Sequence, residues 1–111
     1  MKRFLVGILA LLVVTTAAIA DVGIRYAPLG YFQITDLSAA VGIGCPAAST
    51  SALIRTETQS VRWRDDGTDP TSSVGQLMLA ADAPFLYTGA LSKIKFIQAT
   101  SSAKLNVVCY R

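Results

Sequence analysis

Residues 93–98, KIKFIQ, and residues 104–110, KLNVVCY, decide how this chain folds. In the first stretch, lysines alternate with Ile94 and Phe96; in the second, Leu105, Val107 and Cys109 recur at every other position. A strand sends successive side chains to opposite faces, so these five residues are expected to line a core. Working outward, Val61-Arg62-Trp63-Arg64 shows the same alternation, with Val61 and Trp63 on one face and two arginines on the other. Further strands are predicted at Tyr31–Thr35, Ala39–Ile43, Ala52–Glu57, Gly75–Leu79 and Phe85–Tyr87, where β-branched, aromatic and small residues run between turn-forming clusters. The turns are predicted at Pro28–Gly30, Asp36–Ser38, Gly44–Pro46, Thr58–Ser60, Asp65–Ser73, Asp82–Pro84, Thr88–Gly89 and Ala99–Ser102. No convincing helical period follows the N-terminal segment. The expected fold is all-β: a small antiparallel β-sandwich or jelly-roll-like barrel of about seven or eight short strands over residues 28–111.

Residues 1–27 read differently. Lys2 and Arg3 form a basic tip, Phe4–Val14 is an almost unbroken apolar run, and Ala18-Ile19-Ala20 ends in small residues before Asp21. That order matches a secretory signal peptide. Residues 4–20 number 17, the lower limit for a membrane span, so an anchor ranks behind the other readings.

Charge and composition exclude several functions. Lys and Arg total 10 against 7 Asp and Glu, giving +3; Lys2 and Arg3 supply two, so residues 21–111 carry only +1. No basic stripe appears downstream of the leader, which argues against binding to nucleic-acid phosphates. The chain has no histidine, removing the commonest acid–base catalyst and metal ligand. Serines and threonines are plentiful, but without histidine or a Gly-x-Ser-x-Gly elbow a hydrolase triad has no basis. Two cysteines occur, Cys45 and Cys109. In an exported protein they would pair; in one that folds in the cytoplasm they would be two small buried hydrophobes. The sequence leaves both open.

Two stretches invite a functional reading. Asp65-Asp66-Gly67-Thr68-Asp69 clusters carboxylates around a glycine, but lacks the alternate spacing and distal glutamate of a calcium loop, so a solvated loop is expected. Arg62, Trp63 and Arg64 form either an aromatic-plus-cation site or a core tryptophan flanked by arginines that coat a solvent face or pair with Asp65 and Asp66. Tyr26, Tyr31, Tyr87 and Tyr110 are expected to pack, each with one polar end. No catalytic residue, metal ligand or cofactor site is expected.

The runs VRWRDDGTDPTSSVGQLML (61–79) and PFLYTGALSKIKFIQATSSAKLNVVCYR (84–111) resemble a group of small tailed-phage structural proteins. That group has an ALIxxE…VRWRDDGTxPT…VG core and a second half of the form LxYTGxLxxIKFI…A…AKLNVxYY. The resemblance spans roughly residues 28–111, and its RWRDDGT string is the most specific part. By size it extends, more loosely, to the capsid staple or decoration proteins of short-tailed enterobacterial phages. It implies a non-enzymatic virion protein on the outer capsid surface, a homodimer that clamps neighbouring major capsid subunits, without nucleic acid or small-molecule substrate as ligand. On this reading residues 1–27 are a retained apolar arm. The expected contacts are Phe4, Leu5, Ile8, Leu11 and Leu12 on the arm, with Arg62, Arg64, Asp65 and Asp66 at the loop running to Ser73. The alternative is an exported periplasmic or surface β-domain that binds a partner, with a cleaved leader and a Cys45–Cys109 disulfide.

Overall fold

A computed structural model describes residues 26–111, so the arm and its five expected contacts, Phe4, Leu5, Ile8, Leu11 and Leu12, lie outside the described residues. The strands are β1 (Pro28–Ile34), β2 (Val41–Gly42), β3 (Ser51–Glu57), β4 (Val61–Arg64), β5 (Gln76–Met78), β6 (Phe85–Tyr87), β7 (Lys95–Gln98) and β8 (Lys104–Tyr110). They form two four-stranded antiparallel sheets, ordered β1-β8-β3-β6 and β2-β7-β4-β5. Strand 1 thus lies beside 8, 2 beside 7, 3 beside 6 and 4 beside 5. This is one long antiparallel ribbon rolled on itself, the winding of a jelly roll. Among the described residues no helix is long and apolar enough to cross a membrane.

The period-two pattern explains which faces meet. Ile54, Leu105, Val107 and Cys109 of one sheet, and Val61 and Phe96 of the other, are fully buried in one cluster. Ile94 just before β7, and Leu37 and Ile43 from the connections around β2, complete it. Lysines and arginines at the intervening positions stay at the surface, where their charge remains hydrated.

Pro28–Gly30, expected as a turn, instead belongs to β1, with a register shift between Pro28 and Gly30. β1 is an edge strand, where proline's missing N–H costs nothing on the open side and a bulge is accommodated. Pairing reaches one residue beyond it, since Ala27 and Arg111 exchange backbone hydrogen bonds of 3.1 and 2.9 Å. The strand expected at Ala39–Ile43 shortens to Val41–Gly42.

Two connections meet in a strained pair. Thr58 and Ser102 both adopt positive φ, 71° and 73°, and the Thr58 hydroxyl lies 2.6 Å from the Ser102 carbonyl oxygen, to which it donates. A β-branched residue seldom takes that conformation, and the side-chain bond between the loops offsets part of its cost.

Cys45 and Cys109 form a disulfide with Cα atoms 5.8 Å apart, closing a loop of 64 residues. Cys45 lies on the connection from β2 to β3 and Cys109 is a fully buried core position of β8. The bond therefore ties the crossing between the sheets to the strand at the centre of one of them.

Candidate functional site

β4 lies between β7 and β5, which orients its four side chains. Val61 is fully buried opposite Gln98 and Met78. Trp63 also points between the sheets but is only half-buried, because its neighbour β5 is the sheet edge. Its ring stacks on Phe85 of β6, with centroids 5.5 Å apart and planes inclined by 23°, and meets Tyr87 edge-on at 6.1 Å. Three aromatic side chains from two sheets thus close the side of the sandwich bounded by edge strands β5 and β6. Offset contacts of this kind add about 0.5–1.5 kcal/mol per pair beyond burial.

The polar residues next to this cluster are each engaged, though not as one set. Arg64 holds Asp66 in a two-pronged ion pair, its Nε donating to Oδ1 at 3.0 Å and its Nη2 to Oδ2. The guanidinium hydrogen bonds hold the Asp66 carboxyl below the usual carboxylate range. Arg62 does not reach a carboxylate: its Nε donates to the Ser72 carbonyl at 3.2 Å and its Nη1 to that of Gly75 at 3.0 Å. It pins the far end of the 65–75 loop to β4. Gly75, at φ +140°, permits this approach, since a Cβ there would lie 3.1 Å from the Trp63 carbonyl oxygen.

Asp65 takes a third course, accepting a 2.7 Å hydrogen bond from the Tyr87 hydroxyl. Of the two sequence readings, pairing with the aspartates therefore holds for Arg64 and Asp66 alone. Arg62 and Asp65 serve the loop and the tyrosine. The aspartate-rich loop is otherwise exposed, and among the described residues no group of three acidic or sulfur side chains is placed to hold a metal ion.

The structure adds residues that linear reading did not place at a site. Phe85, Tyr87 and Gln76 border the Trp63 cluster, and Val74, Leu77, Leu79 and Leu86 around edge strands β5 and β6 are 43–53% exposed. Two open clefts adjoin there, with Trp63 and Gln76 as a common wall. One, of about 440 Å³, includes Asp65 and Asp66; the other, of about 230 Å³, includes Phe85 and Asp82. Only the pairing of β4 with β5, and the stacking of β4 on β6, brings them together.

Tyr87 gives the site a measurable signature. Burial, aided by the hydrogen bond to Asp65, pushes its phenol from 10.0 up to about 12. The fold favours the neutral phenol, so this contribution to stability is complete below pH 10 and is lost as pH rises through about 12. Tyr87→Phe is expected to lose about 1 kcal/mol at neutral pH. It should also flatten the decline in stability between pH 10 and 12, measured as the wild-type minus variant difference in chemical denaturation.

Comparison of the chain with family models, curated proteins and solved structures finds no match.

Proposed function

We propose that the chain is an exported, non-enzymatic binding module: a disulfide-stapled β-sandwich that works by docking a partner, in the periplasm or at a surface. The observation that carries this reading is the Cys45–Cys109 bond. Structural disulfides persist in oxidising compartments and are rare where glutathione and thioredoxin keep thiols reduced. The basic, apolar and small-residue order of residues 2–20 supports the same compartment.

Mass spectrometry of the protein isolated from its native source tests the proposal. A chain beginning at Asp21 and lighter by two hydrogens than the reduced form is expected. An intact Met1 with two free thiols would sink it.

A second reading, a capsid decoration protein that clamps major capsid subunits, is favoured by the resemblance over residues 61–79 and 84–111. The jelly-roll winding is shared with viral capsid domains, although a fold alone does not specify function. On that reading the exposed 65–73 loop, with Arg62, Arg64, Asp65 and Asp66 at its base, faces the shell. Its gain would come from one subunit bridging several others. Particles stripped of the protein should then lose resistance to heat and chaotrope; unchanged resistance removes this second reading.

A further inference from the structure

We infer that the groove between edge strands β5 and β6 is the docking site, and that it takes an extended peptide segment whose apolar side chain is flanked by lysine or arginine. This rests on the binding-module reading and names the partner's chemistry.

Three observations converge on this groove. Its floor is the inner edge of the Trp63–Phe85 stack, open because β5 and β6 end their sheets. Its walls combine the half-buried rings of Trp63 and Phe85 with Met78, Ala83 and the exposed Val74, whereas Leu77 and Leu86 face the outer surfaces of the two sheets, in register with Arg62 and Leu53. Clefts with apolar walls and a few convergent polar groups are the usual form of a binding site. Among the described residues both bounding strands have one unpaired edge, where an extended segment finds main-chain partners while sending one side chain inward.

Charge selects among possible segments. The groove's ionisable side chains are Arg64, Asp65, Asp66 and Asp82. Arg64 is consumed by Asp66. Asp65 accepts only from the Tyr87 hydroxyl, and Asp82 accepts from the Leu79 amide at 2.8 Å; neither has an ion-pair partner among the described residues. Each adjoining cleft thus holds one uncompensated carboxylate, with the tryptophan wall between them. A residue 21–111 charge of only +1 does little to oppose this local negative potential. Cations that approach also gain from the ring faces of the aromatic cluster. Anionic ligands are disfavoured on the same grounds.

Trp63 is the chain's single tryptophan, so intrinsic fluorescence reports on the groove alone. The oxidised protein would be titrated with three capped pentapeptides. Their sequences are lysine–leucine–phenylalanine–leucine–lysine, its analogue with glutamate at both ends, and lysine–serine–glycine–serine–lysine. The first is expected to shift the emission saturably and to bind at least tenfold more tightly than either control. Asp65→Asn with Asp82→Asn should bring the basic and acidic apolar peptides to within about threefold of each other, because the amides keep both hydrogen bonds and lose the charge. Val74→Ser, an exposed position of the cleft wall outside the core, should weaken the first peptide about threefold.

Equal responses to all three peptides, or no response up to about 1 mM, would overturn the assignment. So would sedimentation showing a dimer that the Val74→Ser variant dissolves, since a second copy would then be the occupant. These outcomes leave the leader and thiol masses untouched, so the docking assignment fails separately from export.

Discussion

Replacing Cys45 and Cys109 together by alanine is expected to lower stability by about 4 kcal/mol, the largest change available from two exchanged atoms. The bond closes a 64-residue loop, and holding two points of the unfolded chain together removes much of its freedom. The reduced chain regains that freedom only when unfolded, so the penalty falls on the folding equilibrium with the native contacts largely kept. In a domain of this size a loss of that magnitude lowers the melting temperature by on the order of 20 °C. Guanidinium unfolding of the oxidised protein, with and without reductant, should reproduce the shift given by the double variant. Either single variant should come close to it, since one missing sulfur opens the same loop. A reduced protein as stable as the oxidised one would show that the unfolded chain is already compact or the bond strained.

Phe96→Ala is expected to cost about 3–5 kcal/mol, by leaving a cavity at the largest fully buried side chain among the described residues. Phe96 is fully buried on β7, in register with Val41 of β2 on one side and Trp63 of β4 on the other. Neighbours on the pleated strands cannot collapse far into the space, because their backbone hydrogen bonds fix the spacing. The variant should therefore also move Trp63 emission to longer wavelength at temperatures where it remains folded. Phe96→Leu retains most of the volume and should cost less than half as much. Chemical denaturation of the two variants side by side checks the ordering, and equal losses would mean that ring shape, not enclosed volume, is what matters.

Strand positions were legible because alternation is a local property. Ile94 and Phe96, and Leu105, Val107 and Cys109, are all fully buried as their spacing demands. Pro28–Gly30 misled because proline and glycine also mark a turn, and only an edge position with a bulge makes them compatible with a strand. The candidate site was less visible. Trp63 stood out in the sequence, but Phe85 lies 22 positions away and joins it only after the ribbon has rolled up. Arg62 and Arg64 look equivalent in VRWR, yet one holds carbonyls at Ser72 and Gly75 and the other a carboxylate. The 65–75 loop's path decides that difference, and no spacing rule encodes it.

The place of β8 has a consequence for how the chain comes into being. Residues 104–110 are the common partner of β1 and β3, bonded to residues 28–34 on one side and 51–57 on the other. Synthesis runs from the N-terminus, so β1 has no partner among the described strands, and β3 has only the short β6, until residues 104–110 have emerged. The core cannot close before Leu105, Val107 and Cys109 are available, since all three are fully buried in it. Such late closure keeps the nascent chain threadable, a state in which it can still pass through a narrow translocation pore. On the exported-module proposal, folding after translocation is what brings Cys109 back to Cys45.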